Sequence, residues 1–376
     1  MGSIAEAGLS GDGSGSSGGR VANGAADMPG ADASSDVDRN GAPPEDGGDA
    51  HGEGAAVSIA TLSDALAGEA AASSRTDGEG AALLVYPAFA VDATIDGGLA
   101  QLNAYRTLAG LPSVVLDPVS SLGCAAHLQY LICAAAAGGG NGYLEHTETG
   151  YPACATVSGA QAGIESDLAW GESSSIREIV GQSLGQAVDD WMNGLYHRTP
   201  LLDPGLTKVG AASIEGYNCL DYGGAGNTVS ARAASPVLFP PNGATDVPDN
   251  FVGNEDPCPT APSDPLTSMS CAGSGFIVTA NWYGWGTVDS PAITAVSSVS
   301  MTDAETSAAV PLLTFYADTV SGHDPAPGYV HNEIALVPEA NLAANHMFTV
   351  TLDATISGQA STVVWSFTTG ARVQTY

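Results

Sequence analysis

The chain has 376 residues, a formal net charge of −32, 44% apolar residues and only 13% charged ones. A field this acidic repels phosphate backbones and anionic lipid headgroups, which excludes nucleic-acid binding and electrostatic membrane docking. The length allows two ordinary domains and a tail, and with so few charges Ser, Thr, Asn, Gln and Gly must carry the surface polarity, as in many secreted proteins.

Residues 1–82 are Gly, Ala, Ser and Asp with almost no large apolar side chains, and 1–80 hold 14 acids against 3 arginines. Such a segment cannot bury enough surface to offset its ordering entropy, so it is expected to be a disordered acidic linker, with at most a transient helix at Val57–Ala67. Met1–Arg20 lacks the basic start and apolar run of a signal peptide, so the export signal of a secreted chain is expected to lie upstream of this sequence. No segment is read as reaching the 18 or so apolar residues that span a bilayer.

Order is expected from Leu83. Ile95–Leu108 carries a helical stripe, with Asp96 as cap and Gly110 as stop. A second helix starts at Asp117-Pro118 and ends at Gly138–Gly140; it is apolar nearly all round and therefore expected to be central and buried. Tyr143–Ala169 reads as irregular. Ser175 and Glu178 have capping-box spacing, and the stripe from Ile176 to Leu195 predicts a third helix. Lys208–Ile214 and Tyr217–Tyr222 predict two strands joined at Glu215-Gly216. The domain boundaries expected are 83–227 for an α+β domain, 228–236 for a linker and 237–376 for an all-β sandwich, with strands at Gly275–Trp282, Ala292–Met301, Val310–Tyr316, Glu333–Val337, Phe348–Ile356 and Val363–Thr369. The two domains are expected to fold independently.

Six cysteines, with no Cys-x-x-Cys pair, read as disulfides made in an oxidising compartment; buried free thiols are the alternative. Cys258 and Cys271 are expected to bridge, while Cys124, Cys133, Cys154 and Cys219 pair among themselves in an order that spacing leaves open.

The residues with chemical potential are His127, His146, Glu148, Glu172, His197 and Arg198, within 72 residues. Histidines and carboxylates at helix ends and in adjoining loops can ligate a divalent cation or share a proton at neutral pH. His127, on an apolar helix, reads rather as a hydrogen-bonded core histidine. Glu148 reads equally as a solvated loop acid, Glu172 as a cap, and His197-Arg198 as a brace of the helix end. There is no His-Glu-x-x-His helix and no Gly-x-Ser-x-Gly elbow; a serine nucleophile near Ser158 or Ser173 stays open.

The segments LNAYRTLAGLP (102–112), CAAHLQYL (124–131), YLEHTETGYP (143–152), WGES (170–173) and AVDDWMNGLYHRTPLLDPGLTKVG (187–210) follow one another in order. Over about 95–223 they resemble the bacterial branch of the cysteine-rich secretory protein, antigen 5 and pathogenesis-related (CAP) superfamily. FPPNGATDVP through VVWSFTTG resembles the immunoglobulin-like modules of some bacterial CAP proteins. The resemblance implies an αβα three-layer sandwich with a cleft of two histidines and two acids. It carries His146 and His197 onto the cleft histidines and Glu172 onto one acid, with Glu148 close by. The other acid is missing: Gly194 stands near its place, leaving Asp190 or Glu148 as candidates. The implied function is a secreted or cell-surface, monomeric module whose cleft binds zinc, calcium, or a small ligand, lipid or extracellular surface component. The alternative is a metal-assisted extracellular hydrolase or peptidase using the same residues.

Overall fold

The structure is a computed structural model that describes residues 84–140, 144–171, 182–224, 227, 232, 235–253, 255, 259, 273–286, 290–317 and 332–371. Residues 78–376 form one unit of the chain. The leader, with its expected helix at 57–67, lies outside the described residues.

Helix α1 (Ile95–Leu108) has the expected bounds, but Thr94 is its N-cap, accepting from the Gly97 N–H, and Asp96 sits in the first turn. Helix α2 (Pro118–Ala134) begins as expected, with Asp117 accepting from the Ser120 N–H and Pro118 in the first turn, where its missing N–H costs nothing. One wide turn, Ala135–Gly139, ends it. The run Pro118–Gly139 is, contrary to expectation, long and apolar enough to cross a bilayer by length and composition, with a mean hydropathy of 1.3. In the fold it is half a core helix: Cys124, His127, Leu128 and Leu131 are buried, whereas Val119 and Leu122 are 77% and 72% exposed.

The stretch expected to be irregular contains helix α3 (Val157–Ile164) and strand β2 (Ser166–Trp170). Helix α4 runs Leu184–Asn193, and its capping box is Ser183 with Gln186. Ser183 is extended, so no continuous helix runs from 176; the Ser175–Glu178 pair lies outside the described residues. A one-turn helix, α5 (Arg198–Leu201), follows. Strand β1 (Val115–Leu116) pairs in parallel with β3 (Lys208–Ile214), and β3 and β2 both pair antiparallel with β4 (Tyr217–Asp221), giving the order β1-β3-β4-β2. Glu215 and Gly216, both at positive φ, make the tight β3–β4 turn.

Period-two alternation divides this sheet between two layers. Cys219 and Tyr217 of β4 and Ala212 of β3 pack with Leu128 and Leu131 of α2, while Val209, Ala211 and Leu220 join Leu102 of α1 and Val188 and Trp191 of α4. The disulfide Cys124–Cys219 ties α2 to β4, and Cys133–Cys154 ties the end of α2 to the loop before α3. The expected Cys258–Cys271 bond lies outside the described residues.

Strands β5 (Val237–Phe239), β6 (Ala244–Val247), β7 (Asn250–Phe251), β8 (Ser274–Gly275), β9 (Val278–Asn281), β10 (Ile293–Asp303), β11 (Leu312–Tyr316), β12 (Glu333–Pro338), β13 (Met347–Ile356) and β14 (Gln359–Thr369) follow. They form the sheets β10-β13-β14-β6 and β11-β12-β9-β5 and the small pair β7-β8. Val350 and Leu352 of β13 and Ile334 and Leu336 of β12 meet in one cluster. β13 alternates buried and half-exposed positions, as a one-sided strand must, whereas all six residues of β12 are buried. The second face of β12, Ala335 and Val337, packs on Leu195 and Tyr196, which follow α4.

The boundary at 228–236 therefore separates two textures in sequence but not two cores. One cluster contains Leu102, Tyr105 and Trp191 together with Phe239, Phe276 and Trp365. The entry to the first module is also stitched to the second: the Tyr86 N–H donates to Thr245 O and the Thr245 N–H to Leu84 O, both at 2.8 Å. Arg198 lies in the seam, donating to Met192 O and Ile277 O, with its guanidinium over the rings of Phe239 (4.9 Å) and Phe276 (5.5 Å). These contacts run against independent folding of the two pieces.

Candidate functional site

The residues singled out in sequence separate into different places. His127 is fully buried; its Nε2 donates to Glu145 O (2.9 Å) and its Nδ1 shares a hydrogen bond with Glu148 Oε1 (3.1 Å). Glu148 Oε2 also accepts from the Thr156 N–H (2.5 Å), so this acid is buried in the core beneath α3 rather than lining a cleft. Gly159 and Gly163 let α3 lie on the pair: a Cβ on Gly163 would meet His127 Cε1 at 2.5 Å, and one on Gly159 would strike the Glu148 carboxylate. His146 is exposed, and its Nδ1 donates to Gly163 O at the end of α3 (2.8 Å). Glu172 and Ser173 lie outside the described residues, and Ser158 is exposed on the first turn of α3. Asp190 is held by the Gln182 side chain.

His197 is positioned by a residue that sequence reasoning missed. Glu255, from the loop after β7, is buried, and its Oε1 accepts from the Tyr196 N–H (2.5 Å), the His197 N–H (3.0 Å) and His197 Nδ1 (3.0 Å). Its Oε2 accepts from the Leu195 N–H (2.6 Å). The carboxylate thus gathers three consecutive backbone donors at the α4–α5 corner. Gly194 makes room for it, since a Cβ there would stand 2.8 Å from Glu255 Oε1. Neither Asp190 nor Glu148 brings an acid to this corner; a side chain 61 residues downstream of Gly194 does. The glycine at the expected acid position was the only signal, and it pointed to a gap without naming what fills it.

Asp167, on β2, is the third member. It is buried, and burial pushes its carboxyl up to about 8; the charge of His197 opposes that rise and that of Glu255 adds to it. On the far side of the corner, burial raises Glu333 to about 7 although Thr199 donates to it and the Arg198 charge opposes the rise. The His197 Nδ1–H donates to Glu255, and its side chain is 18% exposed. A carboxylate that fixes the tautomer and orientation of a histidine is the usual support of a metal-ligating or basic imidazole. His197 is the residue here whose imidazole could ligate a cation.

A second group could hold a metal ion. Asp303, Glu305 and His346, in the sheet module, each offer one ligand atom, all within 4.8 Å of one another.

No curated protein matches the chain. About a third of it matches one family model, described as CAP, the cysteine-rich secretory protein family: residues 99–225 are a CAP domain.

Proposed function

We propose that this is an extracytoplasmic CAP-domain protein whose corner at His197 binds a divalent metal, zinc or calcium, or a small ligand, with the C-terminal sheets, read as an immunoglobulin-like module, supplying part of the site. The observation that carries the reading is the Glu255–His197 pair, a buried carboxylate that orients a partly exposed imidazole. The two disulfides support the extracytoplasmic placement, since such bonds persist in oxidising compartments. The test is titration of the metal-free full chain with zinc and with calcium, and a thermal-shift screen of small ligands, on wild type and His197→Ala. One bound equivalent that is lost in His197→Ala and kept in His346→Ala is expected; the same stoichiometry and affinity in wild type and His197→Ala would overturn the assignment.

The second reading, an extracellular hydrolase or peptidase, is favoured by one observation, the buried Asp167 carboxyl, raised by burial and felt electrostatically by His197. Turnover on peptide, ester or glycan panels that disappears in both His197→Ala and Asp167→Asn would establish it. Binding without turnover leaves the module.

A further inference from the structure

Asp303, Glu305 and His346 stand at the end of the β10–β13 pair, apart from the CAP residues, and each is fixed by its own backbone contacts. Asp303 Oδ1 accepts from the Glu305 (2.9 Å) and Thr306 (3.3 Å) N–H groups, which turns Oδ2 outward to His346 Nδ1 at 2.9 Å. Glu305 grips the Met347 N–H with both oxygens, at 3.0 and 2.9 Å, and so lies along the start of β13. Its Oε2 is 3.9 Å from His346 Nδ1. His346 is held through its main chain: its N–H donates to Thr369 Oγ1 (3.1 Å) and its carbonyl accepts from the Thr369 N–H (3.0 Å).

We infer that Asp303, Glu305 and His346 form a three-ligand site for a zinc-like divalent cation, using Asp303 Oδ2, Glu305 Oε2 and His346 Nδ1. Ligand atoms bound tetrahedrally at about 2.0–2.1 Å stand about 3.3 Å apart. The observed 2.9 and 3.9 Å to His346 Nδ1 bracket that spacing, and all three ligand atoms lie within 4.8 Å of one another. Two carboxylates and a neutral imidazole give the site a charge of −2, matched to the ion. The side chains of His346 and Glu305 are 30% and 44% exposed, which leaves an entry path and room for water as the remaining ligand. Binding requires the Nδ1 proton to move to Nε2 or leave, so protons compete with the metal and affinity falls as pH falls. One imidazole with two carboxylates suits zinc or manganese more than calcium, whose all-oxygen sites take 6–8 ligands.

The experiment is calorimetric titration of the EDTA-stripped full chain with zinc chloride at pH 7.5, with the imidazole resonances of His346 followed by NMR. A saturable event is expected that survives His197→Ala, weakens at least tenfold in Glu305→Gln and in His346→Ala, and moves the His346 resonances. Circular dichroism in EDTA shows whether each variant is folded, and the wild-type NMR titration decides the matter even if His346→Ala is not. Unchanged zinc affinity in Glu305→Gln, or His346 resonances that stay put at saturating zinc, would show a hydrogen-bonded ion pair only and overturn the site.

Discussion

Substituting Glu255 by alanine probes the α4–α5 corner. The change removes one buried carboxylate and strands the buried main-chain donors of Leu195 and Tyr196, together with the partly buried His197 N–H and ring N–H. Each buried donor left unpaired costs about 1–3 kcal/mol, though neighbouring losses do not add fully and some water will enter. A total of about 3–5 kcal/mol is expected, in the range for breaking a buried charged network. Glu255→Gln keeps the oxygen that serves Tyr196 and His197 but turns an amide N–H₂ toward the Leu195 N–H, so about 1–3 kcal/mol is expected. Gly194→Ala acts from the other side, because its Cβ would press on Oε1 at 2.8 Å. Urea unfolding followed by circular dichroism and tryptophan fluorescence measures all three. The order Ala worse than Gln, with Gly194→Ala non-additive with Glu255→Ala, supports the corner as described. A Glu255→Ala midpoint equal to wild type would refute it.

His127→Ala should destabilise the chain by about 3–5 kcal/mol, because it leaves Glu148 buried without its partner, and urea midpoints measure this. Raised carboxyl values at Asp167 and Glu333 mean that the folded chain holds protons that the unfolded chain, at ordinary values of 3.8 and 4.5, has lost. The stabilisation is complete below about pH 4 and is lost as pH rises to about 7 for Glu333 and about 8 for Asp167, at up to about 1.4 kcal/mol per pH unit for each proton; unfolding free energies measured from pH 5 to 9 should fall, and less steeply in Asp167→Asn. Opening the 95-residue Cys124–Cys219 span removes about 5 kcal/mol of loop constraint, and the 21-residue Cys133–Cys154 span about 3 kcal/mol, so calorimetry with reductant should show a markedly lower melting temperature. Expressed separately, residues 78–227 and 237–376 should melt lower than the whole chain or aggregate, and recover on co-expression; independent melting at the full-chain temperature would contradict the shared core.

Legibility in the sequence followed how local the determinant was. The bounds of α1, the Asp117-Pro118 start of α2, and the β3–β4 hairpin turning at Glu215-Gly216 rest on residues a few positions apart, and all were readable. Helix α3 was not: its Gly159 and Gly163 look like breakers, yet they are the surface that lets it rest on Glu148 and His127. Helix α4 starts at the capping box of Ser183 and Gln186, a serine and a glutamine three apart whose spacing was legible but not singled out. In the site, His127 was correctly read as a core residue, while its partner Glu148 was placed in the cleft because nothing nearby in sequence reveals a contact 21 residues away. Glu255 was invisible for the same reason over 58 to 60 residues. The burial of β12 on both faces was written in its unbroken apolar run Ile334–Val337, but which element covers the second face was not.

The central claim is that Glu255 fixes the His197 ring by accepting a hydrogen bond from its Nδ1–H. Long-range nitrogen–proton NMR of the full chain, with histidines assigned by substitution, reads this directly between pH 5 and 9. The structure predicts that His197 keeps its Nδ1 proton across the range, that any proton lost comes from Nε2, and that Glu255→Gln weakens this preference. A His197 ring that carries its proton on Nε2 at pH 9, or that is unaffected by Glu255→Gln, would contradict it.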